Sequence, residues 1–502
     1  MRNGLRFSSF TIVSDVLPSG WSVLMNGCSG ALDVIPPKIA DVIRATLATG
    51  THGEVYLPPN SLDEDVVASF SERGHLTELS HAEEKALVGE IARGLHDLER
   101  KRPHFMIAPN MDCNYRCTYC FERHIQKKLN SESSNITYAK NNVVMRHDFV
   151  PRIYESIGAI QQAANQEIGG MIILYGGEPL DADNKDIVFD IVGSGSEKGY
   201  WFAAITNGHD LDQFLPILDS EILNQVQVSV DGPKRIHDKR RVHRGKESSF
   251  DKIVANVNTV LEKGGVEIQI RVHVDPQNIG LFEETLKCFQ DQGWINNSSV
   301  VIYANTVYSK EKDGTVSVDM DVGEITVQLS GVAARYSNVF TSAPAVHMNR
   351  AAIPSFEDGD RFGLKGTYCS ANAGNYIFAP DGQIYACWES IGKECSKIGS
   401  YMAPQSLTLD PIAIQKWFTR CVADIPECME CEFALVCGGG CAQYAEYRTG
   451  KLFSSYCDDF QRTFRAVLAN EVHGHLGISQ GAQGAVPRSP GMVSVGGSTI
   501  GD

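Results

Sequence analysis

At 502 residues the chain has room for roughly two to four domains, and 43% hydrophobic with 21% charged residues excludes general disorder. Forty-five Lys and Arg against 61 Asp and Glu leave a formal charge of −16, a field that repels nucleic-acid phosphates and anionic lipid from most of the surface. No apolar run approaches the ~20 residues of a bilayer span, and the start of the chain (Arg2, Arg6, then Phe10 to Val13 before Asp15) lacks a signal-peptide core, so a cytoplasmic protein with no membrane or nucleic-acid partner is expected. In that compartment fourteen cysteines read as metal or cluster ligands rather than disulfides. Three of them lie between 113 and 120, and nine between 369 and 457.

In chain order, residues 8–27 alternate well enough for two short strands around a Pro18-Ser19-Gly20 turn, and residues 39–47 show helical spacing after Pro36-Pro37. A second helix is expected over 63–73, closed by Gly74 and followed by His75-Leu76-Thr77; residues 82–100 form a long charged amphipathic helix. Together these read as a winged helix-turn-helix with a linker helix over residues 1–100. Residues 122–142 are polar with little periodicity and read as a loop. Strand-like runs at 104–108, 171–175, 200–206, 226–230, 267–274 and 300–305 alternate with helical patterns. Such a βα repeat gives a barrel or a doubly wound sheet, with substrates at the C-terminal ends of the strands. Beyond 369 come cysteine-rich loops, a hairpin turned at Pro380-Asp381-Gly382 and a closing helix near 460–470; the Gly/Ser/Pro-rich residues 476–502 read as a disordered tail.

Cys113, Cys117 and Cys120 place three thiols in eight residues directly after the first strand of the repeat. Iron–sulfur clusters are normally held by four cysteine thiolates, so three on one loop leave one iron open to a small-molecule ligand. A zinc site completed by His124 is the alternative, but zinc's usual ligand spacing fits this compact triplet poorly. The C-x₃-C-x₂-C spacing with Tyr119 before the last cysteine resembles the radical S-adenosylmethionine superfamily. Gly176-Gly177-Glu178-Pro179, ending the second strand, is similar to that superfamily's motif for the methionyl amino group of S-adenosylmethionine. Asn207 after the third strand, and Ser229 and Asp231 after the fourth, resemble family segments near the ribose and methionyl carboxylate, with Arg241 a candidate carboxylate partner.

Two other stretches have competing readings. The basic residues 234–246 allow a local nucleic-acid patch or a solvated loop, though no aromatics interleave them. Residues 193–199 imitate a dinucleotide-binding loop but follow a helical pattern rather than a strand, which favours a plain connection.

The later cysteines include Cys428-x₂-Cys431-x₅-Cys437-x₃-Cys441, with Cys369 and Cys387 before and Cys457 after. A zinc ribbon is one reading of the four-cysteine run. The whole set resembles the SPASM domain of radical enzymes, with Cys437-Gly438-Gly439-Gly440-Cys441 a specific local match. Carried over, the resemblance implies an inner auxiliary [4Fe–4S] cluster on Cys369, Cys387, Cys441 and Cys457, and an outer one on Cys428, Cys431 and Cys437. The outer cluster's fourth ligand stays open between Cys395, Cys421 and a non-cysteine group.

The resemblance implies a partial (β/α)₆ barrel over 101–345 and an auxiliary-cluster domain over 346–475, holding three [4Fe–4S] clusters and S-adenosylmethionine, reduced by an external flavodoxin or ferredoxin. Residues 1–100 resemble the precursor recognition element of ribosomal peptide biosynthesis; a leader strand would then add near residues 20–27. DNA binding is the other use of a winged helix, but residues 1–79 are acidic on balance. The expected activity is maturation of a precursor peptide, with no catalytic acid or base singled out. A sulfatase-type formylglycine maturase is the alternative within the family, and an electron-transfer protein the alternative outside it. The open cluster beside a glycine-rich loop argues against the electron carrier, which has no use for a missing ligand.

Overall fold

The computed structural model describes residues 4–17, 19–49, 55–120, 143–310, 316–318, 320–352, 361–402, 407–457 and 459–475. The expected loop at 122–142, His124 and the tail at 476–502 lie outside them.

The N-terminal part begins with β1 (Arg6–Phe7), followed by the antiparallel meander β2 (Thr11–Val13), β3 (Ser22–Asn26) and β4 (Leu32–Ile35). Helices α1 (Pro37–Thr49) and α2 (Glu64–Glu72), strand β5 (Leu76–Thr77), paired with β1, and helix α3 (His81–Arg100) complete it. A capping box explains where α3 starts: Ser80 accepts the Glu83 amide hydrogen, and the Glu83 carboxylate accepts from the Ser80 amide.

The meander is covered on both faces. Leu24 and Ile35 pack with Ile43 and Phe70 on one side, whereas Ile12, Val23, Met25 and Leu32 pack on the other against Tyr303, Phe340, Phe464 and Leu468, which lie over 270 residues away in sequence. Helix α3 likewise buries Val88 and Ala92 against Cys421, Ile425 and Met429. Removing residues 1–100 would therefore bare an apolar core face, and truncation is not a clean test of what this part binds.

The six strands of the repeat are β6 (His104–Ile107), β7 (Gly170–Leu174), β8 (Tyr200–Thr206), β9 (Leu223–Ser229), β10 (Glu267–Val274) and β11 (Val300–Thr306). They run parallel in sequential order, with helices such as Ser249–Lys263 as crossovers. That helix starts where Ser248 accepts the Asp251 amide hydrogen, and it stops at Gly264, whose φ of 74° no β-carbon favours. Apolar side chains such as Ile268, Ile270 and Val272 fill the interior, as a parallel sheet covered on both faces requires.

The sheet does not close on itself. After the small hairpin β12 (Tyr308–Lys310) and β13 (Val316–Val318), strand β14 (Val339–Phe340) joins β11 in parallel. At the other end β6 pairs with β15 (Asn375–Phe378), and β16 (Gln383–Tyr385), β17 (Lys397–Ser400) and β18 (Thr408–Leu409) continue antiparallel to give 11 strands. The cysteine-rich part is thus continuous with the barrel sheet, a junction that sequence spacing did not reveal. Among the described residues no helix is long and apolar enough to cross a membrane.

Candidate active site

The loop after β6 carries the first three cysteines, with Cys113 and Cys117 buried and Cys120 half-buried. Two segments clamp its backbone. Gly177 N–H donates to Asn110 O and Glu178 N–H to Asp112 O, both at 2.9 Å. Arg116 N–H donates to Val242 O (2.8 Å), Thr118 N–H to Arg240 O (2.9 Å) and Arg244 N–H to Asn114 O (2.9 Å). The basic stretch is accordingly a helix over Lys234–Arg240 followed by a segment pinned to the cysteine loop, not a free loop.

The glycine pair serves this clamp first. A β-carbon on Gly176 would stand 2.3 Å from Asn110 O, and one on Gly177 2.2 Å from Asp112 O. Pro179 and Glu178 are buried beside them, and the Glu178 carboxylate accepts from Thr206 Oγ1, the Asn207 amide (2.7 Å) and the Leu180 amide (2.9 Å). Burial pushes its pKa up to about 7. Asn207 also donates through Nδ2 to Asn114 Oδ1 at 2.7 Å, tying the end of β8 to the cysteine loop. Ser229 is buried at the end of β9.

Tyr119 meets Asp231 and Arg241 from distant strand ends. Its hydroxyl donates to Asp231 and accepts from Arg241 Nη1 at 2.6 Å, and its ring lies 4.7 Å from that of His273. Burial alone would raise the Asp231 pKa, but His273 and the guanidinium groups of Arg241 and Arg240 hold it well below the usual carboxylate range. Arg241 is 6% exposed, and its Nε has no hydrogen-bond partner, a buried donor suited to an incoming anion.

Sequence reading missed His273, Arg240 and Asp275; the available signal was that His273 is the last residue but one of β10, at the strand end where a βα fold places its chemistry. His237 was missed too. It is fully buried, with Nδ1 accepting the Asp231 amide hydrogen at 3.2 Å, and burial lowers its pKa to about 4. Between pH 6.5 and 4 the unfolded chain takes up a proton that the folded one refuses, so stability falls as pH falls, by about 2 kcal/mol at pH 5. Urea unfolding of the anaerobic protein should show a lower midpoint at pH 5 than at pH 7, with a smaller drop in His237→Gln.

The later cysteines form two groups. Burial raises the Cys387 pKa most, and the neighbouring thiols of Cys441 and Cys369 raise it further; Cys441 is pushed up to about 12 by burial and then by Cys369. Cys428 is pushed up to about 12 by burial and then by Cys437, Cys457 and Cys431. Cys457 is an electrostatic neighbour of Cys428, Cys431 and Cys437, whereas Cys369, Cys387 and Cys441 neighbour one another. After the Gly-rich run the chain turns back on it: Tyr456 N–H donates to Gly439 O, and a β-carbon on Gly440 would meet Tyr456 O at 1.8 Å, so the segment leading to Cys457 packs on the run between Cys437 and Cys441. Cys395 and Cys421, the cysteines considered for the outer site, have charged side chains rather than other cysteines as their main electrostatic neighbours.

Among the described residues no trio of cysteines has its sulfurs all within 4.8 Å of one another, whereas tetrahedral zinc at ~2.3 Å from each sulfur needs thiols roughly 3.8 Å apart. Their raised pKa values require a cationic partner before the thiolates form. His209, His243 and Glu247 do bring ligand atoms within 4.8 Å, but the two imidazoles stack at 4.2 Å and 15°, so their in-plane lone pairs run parallel instead of converging.

Comparison with known proteins agrees with this geometry. The family model described as the Radical SAM superfamily matches residues 108–289. A cysteine-type anaerobic sulfatase-maturating enzyme of Clostridium novyi (strain NT) is 28% identical over 186 residues, or 36% of this chain; the match spans about half of that relative, 46% of its length. A solved structure of native anSMEcpe with bound AdoMet and the Cp18Cys peptide superposes with a TM-score of 0.54 at 17% identity, covering 75% of this chain and 100% of the other. Streptococcus suis SuiB bound to S-adenosylmethionine gives a TM-score of 0.46 at 12% identity over 90% of this chain and 99% of its own. With the three-thiol loop, the glycine pair and six sequential parallel strands in place, the chain carries a domain of the radical SAM superfamily of enzymes.

Proposed function

We propose that this chain is a radical S-adenosylmethionine maturase that modifies a ribosomally made precursor peptide. One observation carries the reading: a loop offering three buried or half-buried thiols lies beside Arg241, a buried guanidinium with an unpartnered Nε. Cys113, Cys117 and Cys120 would hold the open cluster, and Arg241 would take the methionyl carboxylate. Tyr119, Asp231 and His273 fix that guanidinium from three segments, while Asn207, Ser229 and Glu178 line the strand ends. Bound there, cluster and S-adenosylmethionine supply reductive cleavage to methionine and a hydrogen-abstracting 5′-deoxyadenosyl radical. The chain's own share is to orient both groups and exclude water.

Anaerobic reconstitution tests this. Roughly twelve irons per chain and 5′-deoxyadenosine release on reduction by a flavodoxin or ferredoxin are expected; reduced, iron-loaded protein that releases none would refute the reading. Cys117→Ala should abolish release, because two thiolates cannot hold the open cluster. Cys387→Ala should lower iron content and keep part of the release, uncoupled from peptide modification.

The leader-binding role is proposed for residues 1–100, with its position changed. Strand β3 is the middle of the meander, so residues 20–27 offer no edge. The β4 edge is occupied where Arg73 Nη2 donates to Leu32 O at 2.8 Å. At β2, Ser14 N–H bonds Val23 O, and the alternation of an antiparallel ladder then turns the Val13 N–H outward. A leader strand added there would raise the core peptide's effective concentration at the radical. Val13→Pro should weaken leader binding, read by fluorescence anisotropy, by about tenfold, the loss of a strand hydrogen bond or two, and leave cofactor cleavage intact.

The sulfatase-maturating relative supports a second reading, oxidation of a Cys or Ser in a sulfatase to formylglycine. Mass spectrometry of a co-expressed neighbouring peptide, against a sulfatase-derived peptide, separates the two.

A further inference from the structure

We propose that Arg271 binds a carboxylate of the substrate peptide inside the barrel. The inference deepens the maturase reading and rests on it. Side chains along β10 alternate between the two faces of the sheet. Ile268, Ile270 and Val272 join the core that also holds Val257 and Val260 of the crossover helix. Glu267, Gln269, Arg271 and His273 therefore share the opposite face, where His273 meets the Tyr119 ring and bonds Asp231 Oδ1 through Nδ1 at 3.0 Å. Arg271 lies two residues further in, roughly 7 Å along the strand, in register with Ser229 of β9 and Tyr303 of β11.

Its guanidinium is unspent. Arg271 is half-buried, its Nε is buried with no hydrogen-bond partner, and among the described residues it forms no ion pair. The carboxylates on either side along this face are already engaged. On one side Glu267 accepts from Arg350 (2.9 and 3.0 Å), Gln225 (2.8 Å) and Gln269 (2.9 Å). On the other, Asp231 accepts from His273, Tyr119 and Arg240. The charge of Arg271 instead falls on His273 and on Tyr303, whose hydroxyl donates to Gln227 Oε1 at 2.7 Å.

A guanidinium stays protonated at any working pH and presents a planar fork of donors that a carboxylate matches with two parallel bonds. Leaving such a donor buried and unbound costs free energy, which an incoming anion recovers. Arg241, beside the cysteine loop, is the group for the methionyl carboxylate. A second guanidinium deeper in the barrel calls for a second carboxylate. The peptide is the reactant that brings one, as an Asp or Glu side chain or as its C-terminus. That bond would set how far the core peptide enters and so which hydrogen stands before the radical.

The test uses the full chain, reconstituted anaerobically and given S-adenosylmethionine, a reductant and the peptide encoded beside the gene, or a sulfatase-derived peptide if that is the one modified. The peptide is compared unaltered, with each core Asp or Glu replaced in turn by Asn or Gln, and with its C-terminus amidated. One of these changes should raise the wild-type KM by about thirtyfold or more, the cost of truncating a buried charge pair, and which one does so separates a side chain from the C-terminus. Arg271→Gln should raise KM for the unaltered peptide to the same extent, and both changes together should cost no more than either alone. Arg271→Lys, which keeps the charge and loses the fork, should lie between. If a side chain is the partner, Lys at that peptide position should rescue Arg271→Glu, which an arginine with a merely structural role would not allow. Equal KM values in wild type and Arg271→Gln would overturn the assignment, as would effects that multiply in the double change. A larger loss of S-adenosylmethionine affinity than of peptide affinity in Arg271→Gln would overturn it too, giving the arginine to the cofactor. Wild-type protein that releases 5′-deoxyadenosine but modifies neither peptide would sink the maturase reading and the assignment with it, a failure seen before any variant is made.

Discussion

Replacing Gly177 with Ala is expected to strip iron from the first cysteine site and cut 5′-deoxyadenosine release by at least about a hundredfold, the scale of loss that a misplacement near 1 Å produces. The added carbon would meet Asp112 O at 2.2 Å, Asp112 C at 2.5 Å and Met111 C at 2.7 Å. All three are backbone atoms, so no rotamer change relieves the clash. Either the end of β7 or the cysteine loop must move, and the hydrogen bonds Gly177 N to Asn110 O and Glu178 N to Asp112 O break with it. Gly158→Ala is the matched control: that glycine lies in the helix Val150–Ala163 with nothing within 4 Å of an added carbon, so a small gain of up to about 1 kcal/mol is expected there. Normal iron content and cleavage in Gly177→Ala would show that the loop tolerates the shift.

Arg420→Met is expected to remove iron from both auxiliary groups while leaving about four irons at the first site. The Arg420 side chain is fully buried, and its guanidinium donates to four carbonyls: Leu452 (2.7 Å), Gly440 (3.0 Å), Gly439 (2.9 Å) and Ser454 (2.8 Å). These hold the Gly-rich run before Cys441 against the segment leading to Cys457. The same cation faces Cys428, Cys369, Cys441 and Cys437, and so offsets negative charge from both groups. Methionine fills similar volume but leaves four carbonyls without that donor, a loss on the order of 4 kcal/mol or more. Arg420→Lys should recover little, because an ammonium cannot span four acceptors in a fixed fork. Full iron loading with an unchanged unfolding temperature in Arg420→Met would contradict this account.

The features legible in the sequence were those made by neighbouring residues. Cys113, Cys117 and Cys120 share one loop, so spacing exposed them; Gly176 to Pro179 share one strand end and were reached through resemblance. The six parallel strands were legible because each buries an apolar run between turns, and β8 and β10 span the expected residues. Helix α3 was legible over 82–100 from its amphipathic pattern, and the structure adds the Ser80–Glu83 capping box that starts it at His81. Arg241 was reached only through resemblance. His273 and Arg240 were not reached at all, since their roles depend on which strand ends and helices meet at Asp231.

By itself, then, the sequence determined the local chemistry: which residues carry thiols, where strands start and stop, and which loop follows the first strand. These depend on interactions within a few residues, where covalent spacing sets the geometry. Tertiary structure decided which distant groups share a site. It brought Cys457 near Cys428, Cys431 and Cys437, set Arg420 near thiols of both groups, made β3 a central strand and buried the N-terminal meander against Phe464 and Leu468. Each of these follows from burying apolar faces and satisfying buried polar groups across tens to hundreds of residues, a balance that spacing along the chain does not encode.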